Sequence, residues 1–193
     1  MSPVAHEMVT WMPRVRVDKY DEDQTAWVRG RTGLFRPSGR VFEALGVKPA
    51  AVAESAGNLV TTSGLTRQQA LLNGAGGQAL TNTAVRIGVG NGAGTAAVGD
   101  SDLSAAAGAA NRWFQVMDAT YPSVAAAVLT ARSTFASVDG NFAWNEWGMD
   151  VGTPTVTSSA VVAALLFNHK TSAALGTKTA GATWTFTVTY TVS

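Results

Sequence analysis

The clearest pattern lies at the C-terminal end of the chain. Trp184, Phe186, Val188, Tyr190 and Val192 alternate with Thr183, Thr185, Thr187, Thr189, Thr191 and Ser193. A period of two sustained this long predicts one half-buried strand, with the chain end pinned into a sheet. Val128 to Ser137 also alternates, placing Leu129, Ala131, Ser133 and Phe135 on one face. Asp139-Gly140 follows as a hairpin signal, and Asn141 to Met149 reads as the next strand. Ala84 to Val89 and Trp113 to Met117 read as strands, and Val161 to Phe167 as a buried one. Two stretches carry helical spacing. Thr61 to Asn73 has Ser63 or Thr66 as its cap, Leu65, Gln69 and Leu72 on one face, and Asn73-Gly74 as its stop. Asp100 to Asn111 is Ala-rich, with Leu103, Ala106, Ala107 and Ala110 facing inward. The expected fold is mainly β: an antiparallel β-sandwich with one or two short helices, preceded by an extended N-terminal arm.

Residues 1–57 break the pattern. They hold four of the six prolines, and their apolar positions keep no sustained period. Trp11 to Asp18 alternates briefly as a strand would, and Ser38 to Leu45 suits a short helix capped by Ser38. Two readings compete: a small α+β subdomain packed on the rest, or an arm that becomes ordered on a neighbouring subunit. Trp and Phe in a mixed-charge segment favour the arm, because Trp, Tyr and Arg dominate interface energetics. The division is 1–57, arm or small docking segment, and 58–193, β-sandwich. The residues expected to touch a partner are Trp11, Arg14, Arg16, Trp27, Arg29, Arg31, Phe35 and Arg36.

Composition narrows the function. Of 193 residues only 14% are charged, the net charge is +1, and there is no cysteine. That excludes a disulfide scaffold, a Cys-zinc site and a thiol nucleophile, and gives no electrostatic push toward nucleic acid or an anionic membrane. The start of the chain lacks the apolar stretch of a secretory signal, and no apolar run approaches the roughly 20 residues that span a bilayer. The expected partners are therefore proteins, with no nucleic acid, membrane or cofactor.

Several local patterns invite chemistry. Gly88-Val-Gly-Asn-Gly-Ala-Gly94 follows a strand, but its spacing fits neither a dinucleotide fingerprint nor a Walker-type loop. The glycines read as structural, allowing positive φ in a wide turn. His6-Glu7 lacks the second histidine of a zinc-protease motif. His169, at a strand end, reads as a structural or surface residue. Glu146 lies between Trp144 and Trp147, close to Asp139 and Asp150. This aromatic and acidic cluster, Trp144, Glu146 and Trp147, would suit a carbohydrate-binding surface if exposed. The structural alternative has Glu146 accepting hydrogen bonds from a backbone turn or pairing with an arginine such as Arg132. No metal ligand set and no catalytic residue is assigned.

Residues 58–193 resemble structural proteins of tailed bacteriophages. The resemblance rests on the order of Asn58-Leu-Val-Thr-Thr-Ser-Gly-Leu65, Ala84-Val-Arg-Ile-Gly-Val-Gly-Asn-Gly92, Asp100-Ser-Asp-Leu103, Phe135-Ala136, Asn141-Phe-Ala-Trp-Asn-Glu-Trp-Gly148, Leu166-Phe-Asn-His-Lys170, Leu175-Gly-Thr-Lys178 and the closing Trp184 to Ser193. It implies a non-enzymatic virion protein, assembled in the host cytoplasm, chiefly a capsid decoration (head-associated) protein. Such a protein binds the major capsid protein or another virion protein, stabilises the lattice and forms a homo-oligomer, with a trimer favoured. A tail or fibre component is the alternative, and a carbohydrate-binding module a further one.

Overall fold

The computed structural model describes residues 11–152 and 165–192. Ten strands and three short helices follow one another as β1 (Trp11–Tyr20), α1 (Glu22–Thr32), α2 (Gly39–Ala44), β2 (Ala51–Ala56), β3 (Leu59–Val60), α3 (Thr62–Leu72), β4 (Val85–Gly90), β5 (Arg112–Val116), β6 (Ser123–Ala125), β7 (Val128–Phe135), β8 (Glu146–Val151), β9 (Leu166–Lys170) and β10 (Thr183–Val192). They form two antiparallel five-stranded sheets, ordered β2-β1-β10-β7-β6 and β3-β9-β8-β4-β5. One apolar core lies between the sheets, with Val15, Val17, Phe135, Phe186 and Val188 from the first and Val85, Ile87, Val89, Trp147 and Met149 from the second. The fold is the mainly β sandwich that the alternating segments predict.

Residues 11–57 are not an extended arm. β1 pairs with β10 along its whole length, from Trp11 opposite Val192 to Tyr20 opposite Thr183. β2 then adds to the other side of β1. The alternation of Trp11 to Asp18 thus belongs to an inner strand, whose Val15 and Val17 are buried in the shared core. Pro13 is tolerated there because its carbonyl side faces Gly57, just past the end of β2, where the Gly57 N–H donates to the Pro13 carbonyl at 3.0 Å. The missing proline N–H falls where β2 has already ended. α1 and α2 cover the outer face of this sheet through a small second core of Tyr20, Val28 and Phe42, in which Tyr20 and Phe42 stack at 4.0 Å. No separate subdomain results either, since residues 11–57 supply two of the five strands of one sheet. The threonine face of β10 is consequently partly covered: Thr183 and Thr185 are buried, and a Cβ at Gly39 of α2 would collide with Thr185 and Arg132.

Three further expectations change. α3 is capped by Thr61, whose hydroxyl accepts from the Gly64 N–H, and neither Ser63 nor Thr66 caps it. Its buried position is Gly64, pressed on the Phe167 backbone, while Leu65 and Leu72 are exposed. A turn does form at Asp139-Gly140, where Gly140 has φ 62°, but it closes no hairpin: β8 joins the opposite sheet, between β4 and β9. The Ala-rich stretch 100–111 is not a helix. It belongs to an irregular segment, 91–111, drawn over the outer face of the second sheet by side-chain ties stronger than alanine's helix propensity. Of the apolar run at 161–167, residues 161–164 lie outside the described residues; Leu166 and Phe167 open β9.

Candidate functional site

On β8, the residues facing away from the core are Glu146, Gly148 and Asp150, since Trp147, Met149 and Val151 face inward. The glycines of the Gly88-to-Gly94 stretch make room above them. A Cβ at Gly90 or Gly92 would meet the Glu146 carboxylate, and one at Gly88 would meet the Phe114 ring. These glycines do not have positive φ; their role is clearance. In that space Glu146 accepts the backbone N–H of Ser104 at 2.9 Å and of Ala105 at 2.7 Å, so it does receive bonds from a backbone turn. Arg132 lies on the opposite sheet and pairs with Asp118 and Glu43 instead.

His169, far from being a surface residue, is buried and held at both ring nitrogens. Nε2 lies 2.8 Å from Glu146 and Nδ1 2.6 Å from Asp100. A carboxylate at each nitrogen calls for a proton on each, which makes the ring an imidazolium. Burial alone would lower the His169 pKa, but the bonds and charges of Glu146 and Asp100 outweigh it and raise it above 6.5. Burial likewise pushes Glu146 up, and the His169 bond with the two amides brings it below its ordinary value. The three side chains form a line, Asp100–His169–Glu146, rather than converging on a point. Among the described residues no group of His, Asp and Glu is arranged to hold a metal ion.

A pH dependence follows from these directions. The His169 contribution is complete below the unfolded value of about 6.5 and is lost as pH rises through the raised folded value. The Glu146 contribution is present above the ordinary carboxylate range and is lost as pH falls through its depressed value. Thermal melts from about pH 5 to 8 should therefore show a midpoint that declines on the alkaline side. His169→Gln should lower the midpoint at acid pH and flatten that decline; an unchanged slope would refute the ion-pair assignment.

Other charged groups are also tied into the fold. Arg86 pairs with Asp150 across β4 and β8, its Nε 2.9 Å from the carboxylate. Arg112 reaches Asp102 at 2.6 Å. Lys178 is buried, donates to the Ala136 carbonyl and to Asn141, and is pushed by burial down to about 8. Leu103 meets Phe114 and Leu166 beneath the same 91–111 segment.

The proposed aromatic and acidic surface does not exist. Trp144, Trp147 and Glu146 are each fully buried. Trp144 packs on Phe135 and Trp184 in the core, with its indole N–H donating to the Gly140 carbonyl at 2.8 Å. Neither tryptophan can present a sugar platform. Seven of the eight residues expected at a partner interface separate into two places. Arg14 and Arg16 project from β1 into a groove of about 830 Å³ on the outer face of β2, β1 and β10, beside Glu54, Asn58, Thr187 and Thr189. Arg16 is bonded there to Asp18 and lies near Glu54. Trp27, Arg29, Arg31, Phe35 and Arg36 gather on α1 and the turn after it. Trp27 is 54% exposed, Leu34 45% and Phe35 62%, with the Arg29 guanidinium over the Phe35 ring at 4.6 Å. Arg36 is held at 2.7 Å by the buried carboxylate of Asp139. Trp11 begins β1, and its side chain lies outside the described residues. Leu34, absent from the expected set, is exposed beside Phe35 in the same turn; its signal is an apolar pair directly after the helix-ending Gly33.

No family model, no curated protein and no solved structure matches the chain.

Proposed function

We propose that this protein is a structural component of a tailed-bacteriophage virion, a capsid decoration protein that binds and stabilises the major capsid lattice. The resemblance of residues 58–193 suggests the virion. The observation that carries the mode of action is the Trp27–Leu34–Phe35 surface: three large apolar side chains left in solvent on a sandwich whose buried charges are cross-tied. An isolated exposed leucine is ordinary, but two exposed aromatics on a short helix and the turn after it, one of them under an arginine, are the residue types of interface hot spots. Residues 11–57 are folded into the body, so the protein acts as a rigid block with a docking face rather than through a strap. The buried Glu146 and His169 and the half-buried Asp100 serve as fasteners in this reading, not as a reaction centre.

Mass spectrometry of purified particles should find the chain in stoichiometric amount, and a density map should place it on the head. Phe35→Asp should cut its occupancy on the particle while leaving its melting unchanged. A particle that lacks the chain, or a variant that binds as well as the parent, would overturn the proposal.

A further inference from the structure

We propose that α1 is a self-complementary interface that pairs, antiparallel and across a two-fold axis, with α1 of a second copy of this chain. The inference rests on the reading of this side of the body as an interaction surface; it assigns the helix itself to a second copy and leaves Leu34 and Phe35, past the helix end, to the lattice. α1 is a firmly ended helix: Asp21 caps it in a reciprocal bond with Gln24, and Gly33 closes it in the left-handed conformation. Thr25 and Val28 face the body and are buried. Half a turn away, Asp23, Ala26, Trp27 and Gly30 face outward, with Arg31 beside Trp27 one turn along, and all five are exposed.

The order of these side chains selects the occupant. Asp23, Trp27 and Arg31 recur every four residues, with the acid at one end, the base at the other and the aromatic between them. Trp27 is the midpoint of the helix Glu22–Thr32. A two-fold axis at Trp27 therefore lays Asp23 of each copy opposite Arg31 of the other and sets the two indoles side by side, which is the reciprocity an isologous contact demands. The helix ends agree, since Glu22 and Asp23 occupy the first turn and Arg29 and Arg31 the last. Antiparallel helices also place opposite dipole ends together. Ala26 and Gly30 have little or no side chain to hold the backbones apart, and a Cβ at Gly30 would meet nothing within 4 Å. An unrelated acidic partner would satisfy Arg31 but would find Asp23 opposing it. A second copy satisfies both, and the pair has two-fold rather than three-fold symmetry.

The test is sedimentation equilibrium of the purified full chain over about 10–500 μM, the range in which a one-helix contact associates. The expected result is a monomer–dimer equilibrium. Asp23→Arg alone, Arg31→Asp alone and Trp27→Ala should each weaken it about tenfold or more, because two-fold symmetry applies every change twice. The double exchange Asp23→Arg with Arg31→Asp should restore it, since the charges again match. These positions are exposed, and unchanged circular dichroism verifies the fold of each variant. A monomer throughout the range, association that ignores these substitutions, or a double exchange that restores nothing would each overturn the pairing. Particle incorporation is scored separately: a monomer that still enters particles refutes the pairing and spares the virion reading, and a dimer absent from particles does the reverse.

Discussion

Trp144→Ala should lower the stability of the protein by about 3–5 kcal/mol, the range for truncating a fully buried aromatic. Trp144 has no exposed surface, lies 4.6 Å from the Phe135 ring and 4.8 Å from that of Trp184, and gives its indole proton to the Gly140 carbonyl. Alanine would leave a cavity between the sheets, remove ring contacts with Phe135, Trp184 and Phe186, and take from the Gly140 carbonyl one of its two donors, the other being the Phe142 N–H. For a domain of this size the loss corresponds to a fall in melting midpoint of roughly 6–20 °C. Urea unfolding should show a lower midpoint with an unchanged m-value. A loss below about 1 kcal/mol would mean that the side chain is exposed in solution, and would return Trp144 to the role of a ligand platform.

The strands that the sequence displays are those whose alternation coincides with the boundary between core and outside. β10 is the plainest: Trp184, Phe186, Val188 and Tyr190 all enter the core. β1 carries the same signal in Val15 and Val17, yet Pro13 and the charged neighbours obscure it, and only pairing with β10, which lies at the far end of the sequence, makes it an inner strand. The 91–111 segment was illegible for a different reason. Its alanines suit a helix, but its course is set by Glu146 on β8 and His169 on β9, more than 30 residues away in sequence. The same holds for Trp144 and Trp147. Residue types cannot say which face of a strand is covered, and here the second sheet is buried on both of its faces, so the tryptophans enter the core and Glu146 lies beneath the overlying segment. Of the expected partner residues, Trp27 and Arg31 are exposed on α1, whose buried positions are only Thr25 and Val28, and Phe35 is exposed in the turn after it.

The second large effect comes from removing one charge on the outer face of the second sheet. Arg86 and Asp150 stand directly opposite on β4 and β8, both almost without solvent contact, with the guanidinium 5.1 Å from the Phe114 ring and the Asp150 carboxylate also accepting the Leu165 N–H. Asp150→Asn keeps the volume and removes the charge, so the Arg86 cation loses its principal counter-charge where water cannot replace it. The expected cost is about 3–5 kcal/mol, the penalty of breaking a buried pair from one side rather than the net value of the pair. The double variant Arg86→Met with Asp150→Leu separates those quantities, because it removes both charges and refills the space. It should return to within about 1 kcal/mol of the parent, so that the two sites show strong coupling in a double-mutant cycle. If the double variant instead loses as much as the sum of the single ones, the pair is not coupled, and the outer face of the second sheet admits water. In that case the charges of this face are hydrated, and the Asp100–His169–Glu146 line on the same face would have to be reconsidered as a reactive group rather than a fastener.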